Sequence, residues 1–214
     1  MVFEGLRRDI RAVKERDPAA RNTLEVLMLY SGVHAIMLHR PAHWLYNRKC
    51  YFSARLISQF SRFLTGIEIH PGATIGRGLL IDHGSGVVIG ETAIVGDNCT
   101  IYQGVTLGGT GKEQGKRHPT IGNNVLIGAG AKVLGSFKVG DNSVIAANSV
   151  VLHEVPENCT CVGAPARVKK INGQRVGDID WAATPDLIGQ EFARLQSEIE
   201  QLRQELEDMR GMRR

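Results

Sequence analysis

The chain has 214 residues, of which 43% are hydrophobic and 22% are charged, and its formal net charge is +4. These values are typical of a globular protein with one or two domains. It contains no long basic run and no stretch of about 18 apolar residues, so we expect neither nucleic-acid binding nor a membrane span. The N-terminus is charged from Glu4 onward and lacks the apolar core of a signal peptide, which predicts a cytoplasmic location.

Residues 1–66 are predicted to form an N-terminal helical domain. Apolar residues recur at helical spacing between Leu6 and Val13, with basic residues between them. Asp17 and Pro18 predict the start of a second helix. Asp can cap a helix by accepting hydrogen bonds from its first backbone amides, and Pro suits the first helical position.

Further along this domain, Pro41 is expected to interrupt an apolar helical segment. A helix is predicted from Trp44 to Leu64, and Gly66 is expected to end it. The side chains available for burial along it are Trp44, Leu45, Tyr51, Phe52, Leu56, Phe60 and Phe63. The histidines and four cysteines of the chain show no complete set of zinc ligands, so we expect no metal and free thiols.

A hexapeptide repeat occupies residues 67–171. An aliphatic residue recurs at every sixth position, usually followed by Gly, as in Ile75-Gly76, Val95-Gly96 and Ile127-Gly128. This period is the signature of a parallel β-helix, in which three hexapeptides form one triangular coil of about 18 residues. Glycine after each inward side chain suits a tight corner.

The period is broken at two places, and insertions in solenoids are common sites of function. Two extra residues lie between Ile81 and Ile89, around His83. Eight extra residues lie between Leu107 and Ile121. The sequence therefore places its candidate site in these two loops.

His83 is the candidate general base, because a neutral imidazole can take a proton from a hydroxyl group. Glu68 lies 15 residues earlier, close to one coil back, where a carboxylate could orient the imidazole and stabilise its protonated form. Arg117 and His118 in the second loop could supply positive charge for a substrate carboxylate. The alternative for each of these residues is a structural or solvent-exposed role.

The two loops carry the sequences DHGSG and GGTGKEQGKRHP, and IEIHPGATIG and CVGAPARV flank them. With these motifs the chain resembles the serine O-acetyltransferase family over roughly residues 7–171. The resemblance implies an α+β protein, with the helical segment followed by a left-handed parallel β-helix that assembles as a homotrimer. It also implies transfer of an acetyl group from acetyl-CoA to L-serine, giving O-acetyl-L-serine for cysteine biosynthesis, without a metal or an acyl-enzyme.

The family's functional residues carry over onto matching positions. His83 matches the general base, and Glu68 stands at its carboxylate partner, where many members have Asp. The resemblance implies that serine is held by Asp17, Asp82, Arg117 and His118. It places the CoA arm near Gly109, Thr110, Ala129 and Gly130.

Both ends of the chain depart from the longer members of the family. The helical segment is shorter than the one that joins two trimers, so a dimer of trimers stays open beside a homotrimer. The chain ends in Arg214 rather than Ile, so binding to cysteine synthase is not carried over. L-Cysteine is expected as an inhibitor because it would use the serine-binding residues.

The C-terminal tail is predicted as a linker over residues 172–188 and a helix over residues 189–212. Apolar residues from Phe192 to Met209 recur at alternating steps of three and four, which is typical of a coiled coil. The alternative is an amphipathic helix that packs on the body of the protein.

Three other functions stay open from the sequence alone. The chain could acetylate another small hydroxyl compound. A γ-class carbonic anhydrase would need zinc held by histidines such as His70, His83 and His118, but the usual pair five residues apart is absent. A non-catalytic scaffold is the third alternative, because fold does not fix function.

Overall fold

The computed structural model of the chain describes residues 2–111, 114–175 and 199. The helices are α1 (Val2–Arg16), α2 (Thr23–Leu29), α3 (Ser31–Asn47) and α4 (Tyr51–Thr65). No helix among these described residues is long and apolar enough to cross a membrane. The predicted C-terminal coiled coil lies outside the described residues, apart from Ile199.

Short strands after α4 form a parallel β-helix with three faces, as the repeat predicts. Sheet A contains β1 (Glu68–Ile69), β4 (Val88–Ile89), β7 (Thr106–Gly108), β10 (Lys132–Leu134) and β13 (Val150–Val151). Sheet B contains β2 (Thr74–Ile75), β5 (Ile94–Val95), β8 (Thr120–Ile121) and β11 (Lys138–Val139). Sheet C contains β3 (Leu80–Asp82), β6 (Thr100–Tyr102), β9 (Leu126–Ile127), β12 (Val144–Ile145), β14 (Cys159–Gly163), β15 (Ala166–Ile171) and β16 (Gln174–Arg175).

The register of the sheets agrees with the hexapeptide period. Val88 pairs with Thr106, 18 positions later, whereas Glu68 pairs with Val88 across the coil that carries the two extra residues. Thr106 pairs with Lys132 across the longer insertion. The inward side chains of successive coils therefore stack directly, and they form one continuous buried core.

Helix α3 closes the N-terminal end of this core. Ala35 and Ile36 are buried in the same cluster as Ile67 and Ile81 of the first coil. At the other end, β14, β15 and β16 turn antiparallel, so the predicted linker begins as a β-hairpin at Gln174–Arg175.

Two details of the predicted helices are wrong. Asp17 does not cap α2, because that helix begins at Thr23 and Asn22 accepts the hydrogen bond from the Glu25 amide. Pro41 does not interrupt α3 but lies inside it. The helix continues through Pro41 because residues on both sides of it, including Ile36 and Ala42, are buried against the rest of the fold.

The expected burial along α4 is also wrong. This helix buries a face of small residues, namely Ala54, Ser58, Ser61 and Thr65, so it lies close to the β-helix. The Ser58 hydroxyl donates to the Ile69 carbonyl at 2.9 Å. The large apolar side chains predicted to be buried are mostly exposed instead, with Leu45 half-buried: Trp44 near the end of α3, and Tyr51, Phe52, Leu56, Phe60 and Phe63 on α4. Gly66 ends α4 in the left-handed conformation, as predicted.

The corners between sheets B and C carry a column of asparagines. Asn98, Asn124, Asn142 and Asn158 each have a positive φ. The Asn124 side-chain amide donates to Asn142 at 3.0 Å, and the Asn142 amide donates to Asn158 at 3.1 Å. Asn tolerates the left-handed conformation because its short side chain can make local hydrogen bonds.

Candidate active site

The predicted site residues lie along two edges of the triangular β-helix. The C–A edge consists of the corners that lead from sheet C into sheet A, at residues 83–87, 103–105 and 129–131. The A–B edge consists of the corners that lead from sheet A into sheet B, at residues 70–73, 90–93 and the described residues of the long loop, 109–111 and 114–119.

His83 begins the C–A edge directly after β3. Its backbone is left-handed, with a φ of 57°, and glycines at 84 and 86 continue the turn. Its side chain is 76% exposed, and its Nε2 lies 3.8 Å from the Asp82 Oδ1. The imidazole therefore stands free of the core, beside a carboxylate and open to a substrate.

Asp17 is brought to the same region by the helices. At Gly32 the start of α3 approaches the Ile81 carbonyl so closely that a Cβ would overlap it. Tyr30 is the N-cap residue of α3, two positions before Gly32, and its hydroxyl donates to Asp17 Oδ2 at 2.7 Å. That hydrogen bond is the main cause that raises the pKa of Tyr30 to about 12, and the charge of Asp82 contributes in the same direction.

A column of glycines continues the C–A edge away from His83. Gly86, Gly104 and Gly130 have φ values of 73°, 70° and 71°. The Gly104 amide donates to the Ser85 carbonyl at 2.9 Å, and the Gly130 amide donates to the Gln103 carbonyl at 2.8 Å. The edge therefore presents bare backbone from His83 to the predicted CoA residues Ala129 and Gly130.

His118 lies on the A–B edge and is buried. Its Nδ1 accepts a hydrogen bond from the Thr92 amide at 3.2 Å. A Cβ on Gly90 would overlap the His118 ring. Burial, and then the charge of Arg117, lowers the pKa of His118. The lowered pKa favours the neutral ring over a charged one, and because Nδ1 accepts from Thr92, the proton of the neutral ring lies on Nε2.

Arg117 is held beside it by Glu91. The guanidinium donates to the Glu91 carboxylate, whose other oxygen accepts from the Tyr46 hydroxyl at 2.6 Å. The hydrogen bonds from Tyr46 and then Arg117 lower the pKa of Glu91, and the Glu91 contact raises the pKa of Tyr46 to about 12. Gly109 packs against Arg117, and Thr110 is exposed next to it.

Glu68 is not hydrogen-bonded to His83 in the structure. Its Oε1 accepts from Arg55 at 3.1 Å, and its Oε2 lies 3.1 Å from Arg62 Nη1. Both arginines come from α4. The structure thus brings together Asp17, Asp82 and His83 on one edge, and Arg117 and His118 on the other, with sheet A between them.

Sequence reasoning missed the residues that hold these groups. Tyr30 and Glu91 stand in no recognised motif, and neither spacing nor composition indicates their contacts. Tyr30 meets Asp17 only because α2 and α3 fold back onto β3, and Glu91 meets Arg117 only because the long loop returns to the preceding coil.

One cavity in the described part of the chain lies away from these two edges. It measures about 670 Å³ and is bounded by α1 and sheet C, with Arg11, Glu15 and Leu126 among its lining residues. None of the predicted site residues lines it, so the cavity does not mark the candidate site. The predicted site residues lie instead along the two edges.

No group of three His, Cys, Asp or Glu side chains within the described part of the chain is arranged to hold a metal ion. His70 and His118 lie on the A–B edge, whereas His83 lies on the C–A edge. Cys99, Cys159 and Cys161 are buried and free, and burial raises the pKa of each thiol. Cys50 is free and exposed.

Two family models match the chain. The serine acetyltransferase N-terminal model matches residues 1–37, and the bacterial transferase hexapeptide (six repeats) model matches residues 118–153. Among curated proteins, serine acetyltransferase of Bacillus subtilis (strain 168) is 59% identical over 209 residues, which cover 97% of this chain and 96% of that protein.

Solved structures show the same similarity. Serine acetyltransferase of Brucella abortus strain S19 in complex with coenzyme A is 51% identical, with a TM-score of 0.76 over 78% of this chain and 66% of that chain. The Neisseria gonorrhoeae enzyme in complex with serine is 43% identical, with a TM-score of 0.76 over 78% and 68%. A serine acetyltransferase in complex with cysteine is 42% identical, with a TM-score of 0.78 over 86% and 68%.

Proposed function

Since this chain belongs to the serine acetyltransferase family, we propose that it transfers the acetyl group of acetyl-CoA to the hydroxyl of L-serine, producing O-acetyl-L-serine and CoA. The observation that carries the proposal is the 59% identity to the Bacillus enzyme over 97% of the chain. The exposed imidazole of His83 at the head of a bare backbone edge supports the same chemistry.

His83 acts as the general base in this proposal. The imidazole takes the serine hydroxyl proton as the oxygen attacks the thioester carbonyl carbon. Backbone N–H groups stabilise the tetrahedral oxyanion that forms. The C–S bond then breaks, and the imidazolium returns its proton to the thiolate of CoA. No group of the protein is acylated, and the atoms balance without a metal.

Glu68 is proposed as the carboxylate that stabilises the imidazolium. It lies on β1, the first strand of sheet A. It pairs with Val88, which begins the strand that comes after the His83 turn. Its two oxygens contact Arg55 and Arg62. The Arg62 side chain is 56% exposed, so this ion pair is weak and is the one that Glu68 would exchange for His83.

The charges of the two edges match the two ends of serine. Asp17 and Asp82 are proposed to hold the ammonium group, and Arg117 and His118 the carboxylate. Because these pairs lie on different edges of one chain, we propose a homotrimer in which the C–A edge of one copy faces the A–B edge of the next. The exposed apolar face of α4 supports assembly, because large exposed apolar patches mark interaction surfaces.

The CoA arm is proposed to run along the glycine column to Ala129 and Gly130, with Gly109 and Thr110 of the neighbouring copy opposite. L-Cysteine is proposed as an inhibitor at the serine residues, because it differs from serine only in its thiol. The relatives solved with coenzyme A, serine and cysteine support these three compounds as ligands.

The test is thiol release from acetyl-CoA with L-serine, with a panel of other small hydroxyl compounds in parallel. We expect serine-dependent release that His83→Ala reduces by about 10² to 10⁴, the usual contribution of a general base. Release with another acceptor but not with serine would show that the acetyl acceptor is that compound and not serine. No release with any acceptor from folded protein would overturn the proposal.

A further inference from the structure

We propose that Tyr30 is a positioning residue for Asp17, and that through Asp17 it determines the preference for acceptors that carry an ammonium group. The inference rests on the proposed function and deepens it. Tyr30 itself need not touch the substrate. It fixes the carboxylate that does.

The Asp17 carboxylate is held at both oxygens. Oδ2 accepts from the Tyr30 hydroxyl at 2.7 Å, and Oδ1 accepts from the Ala19 amide at 2.8 Å. Each oxygen keeps a lone pair for another donor, because an ionised carboxylate offers about four acceptor positions. The carboxylate is therefore fixed in direction while it can still bind an ammonium group.

Both ends of this contact are anchored to the β-helix. Arg16, next to Asp17, donates to the carbonyls of Asn98 and Cys99, each at 2.9 Å, and to that of Gly78. The Asp17 amide continues α1 with a bond to Val13 at 2.8 Å. The β-helix therefore fixes the backbone position of Asp17. The orientation of the Asp17 carboxylate still depends on its own hydrogen bonds.

Tyr30 orients the Asp17 carboxylate, and the position of Tyr30 is itself fixed. It links α2 to α3, and its carbonyl accepts from the His34 amide at 3.2 Å. The side chain packs against a buried cluster that includes Ile10, Val33 and Leu80. Leu80 opens the strand that ends at Asp82, so the cluster ties Tyr30 to the strand that carries the second carboxylate.

The contact has a chemical consequence for selectivity. Asp17 and Asp82 are the two carboxylates proposed to hold the ammonium group, and a fixed orientation of Asp17 lowers the cost of binding it. Without the Tyr30 hydroxyl, Asp17 keeps only the Ala19 bond and can turn toward solvent. An acceptor with an ammonium group then binds more weakly, whereas an acceptor without one is unaffected.

The test compares L-serine with 3-hydroxypropanoate, which has the same hydroxyl and carboxylate but no ammonium group. For Tyr30→Phe we expect kcat/KM for serine to fall about tenfold, mainly through KM, as for the loss of a hydrogen bond to a charged group. The KM for acetyl-CoA and the kcat/KM for 3-hydroxypropanoate should stay unchanged. If turnover of 3-hydroxypropanoate is too slow, its inhibition constant against serine replaces it.

Thr160→Val is the matched control, because it removes a hydroxyl from a residue of β14 that lies on neither edge. Thermal unfolding of both variants checks the fold. An equal loss with both acceptors would make Tyr30 merely structural, and no loss with either would remove it from the site. Wild-type protein that does not use serine would instead overturn the proposed function, so the two failures are distinguishable.

Discussion

The His118 ring packs against Gly90, in the corner between β4 and β5. The ring fits there because Gly90 has no side chain. The ring lies over the Gly90 backbone, and Thr92 of the same corner donates to His118 Nδ1. The position of His118 thus depends on a residue that makes no hydrogen bond to it.

Gly90→Ala is expected to displace His118 and lower the affinity for serine by about tenfold or more, because the added Cβ occupies the space of the ring. In a His118→Ala background the same change should cost little, because the ring is already gone. Serine KM values for both single variants and the double variant measure this coupling. Additive losses would show that Gly90 matters for another reason.

His39 is a second residue whose surroundings decide its chemistry. It is 5% exposed, its Nδ1 has no hydrogen-bond partner, and burial lowers its pKa to about 3 from a normal value of 6.5. Below pH 6.5 the His39 side chain binds a proton in the unfolded chain but not in the folded chain. Its contribution to the free energy of unfolding is therefore fully present above pH 6.5 and is lost as the pH falls below that value.

We expect His39→Leu to flatten this dependence. Below pH 6.5 the contribution of His39 to the slope of the unfolding free energy approaches about 1.4 kcal/mol per pH unit. Urea unfolding of wild type and variant between neutral and mildly acidic pH compares the slopes. His70 and His118, whose pKa values are also lowered, contribute to both proteins equally. Identical slopes would contradict the assignment.

At the scale of elements, the asparagine column on the B–C corners combines two stabilising effects. Asn142 has a φ of 58°, which most side chains disfavour, and its amide group bridges Asn124 and Asn158. These effects can be separated by substitution, because glycine accepts the backbone but loses the bridges, whereas alanine loses both.

Asn142→Gly is therefore expected to lower the unfolding free energy by about 1 kcal/mol. Asn142→Ala should lower it by about a further 1 kcal/mol, because a Cβ is strained in the left-handed conformation. Denaturant midpoints for the two variants and wild type give the order. An alanine variant as stable as the glycine variant would refute the backbone part of the explanation.

The elements also show which features a sequence can predict. The β-helix, its register and both insertions follow from Ile and Val at every sixth position, because one buried side chain per strand is a local rule. The sequence does not predict that α3 continues through Pro41 or that the aromatic side chains of α4 face outward. Both features depend on what the helices pack against. The site divides in the same way, since His83 and Arg117 lie in recognisable motifs but Tyr30 and Glu91 do not.

For the whole molecule, the separation of His83 and Arg117 on two edges leads to a mixing experiment. His83→Ala and Arg117→Ala are each expected to be nearly inactive. Co-produced in one cell, they should form mixed trimers in which about a quarter of the interfaces combine an intact His83 with an intact Arg117. Thiol-release activity of the purified mixture should recover accordingly. A mixture as inactive as its components would place the whole site within one chain.

Ile36 packs at the N-terminal end of the β-helix, and its position has a consequence for how the protein unfolds on heating. In a stacked repeat each coil is stabilised mainly by its neighbours, so opening can begin at an end and spread. Ile36 covers the first coil, which carries Asp82 and His83. Ile36→Ala should therefore release the coil that carries His83 while the later coils remain folded. On heating, acetyl transfer would disappear several degrees before the circular dichroism of the sheets, and wild type would lose both together.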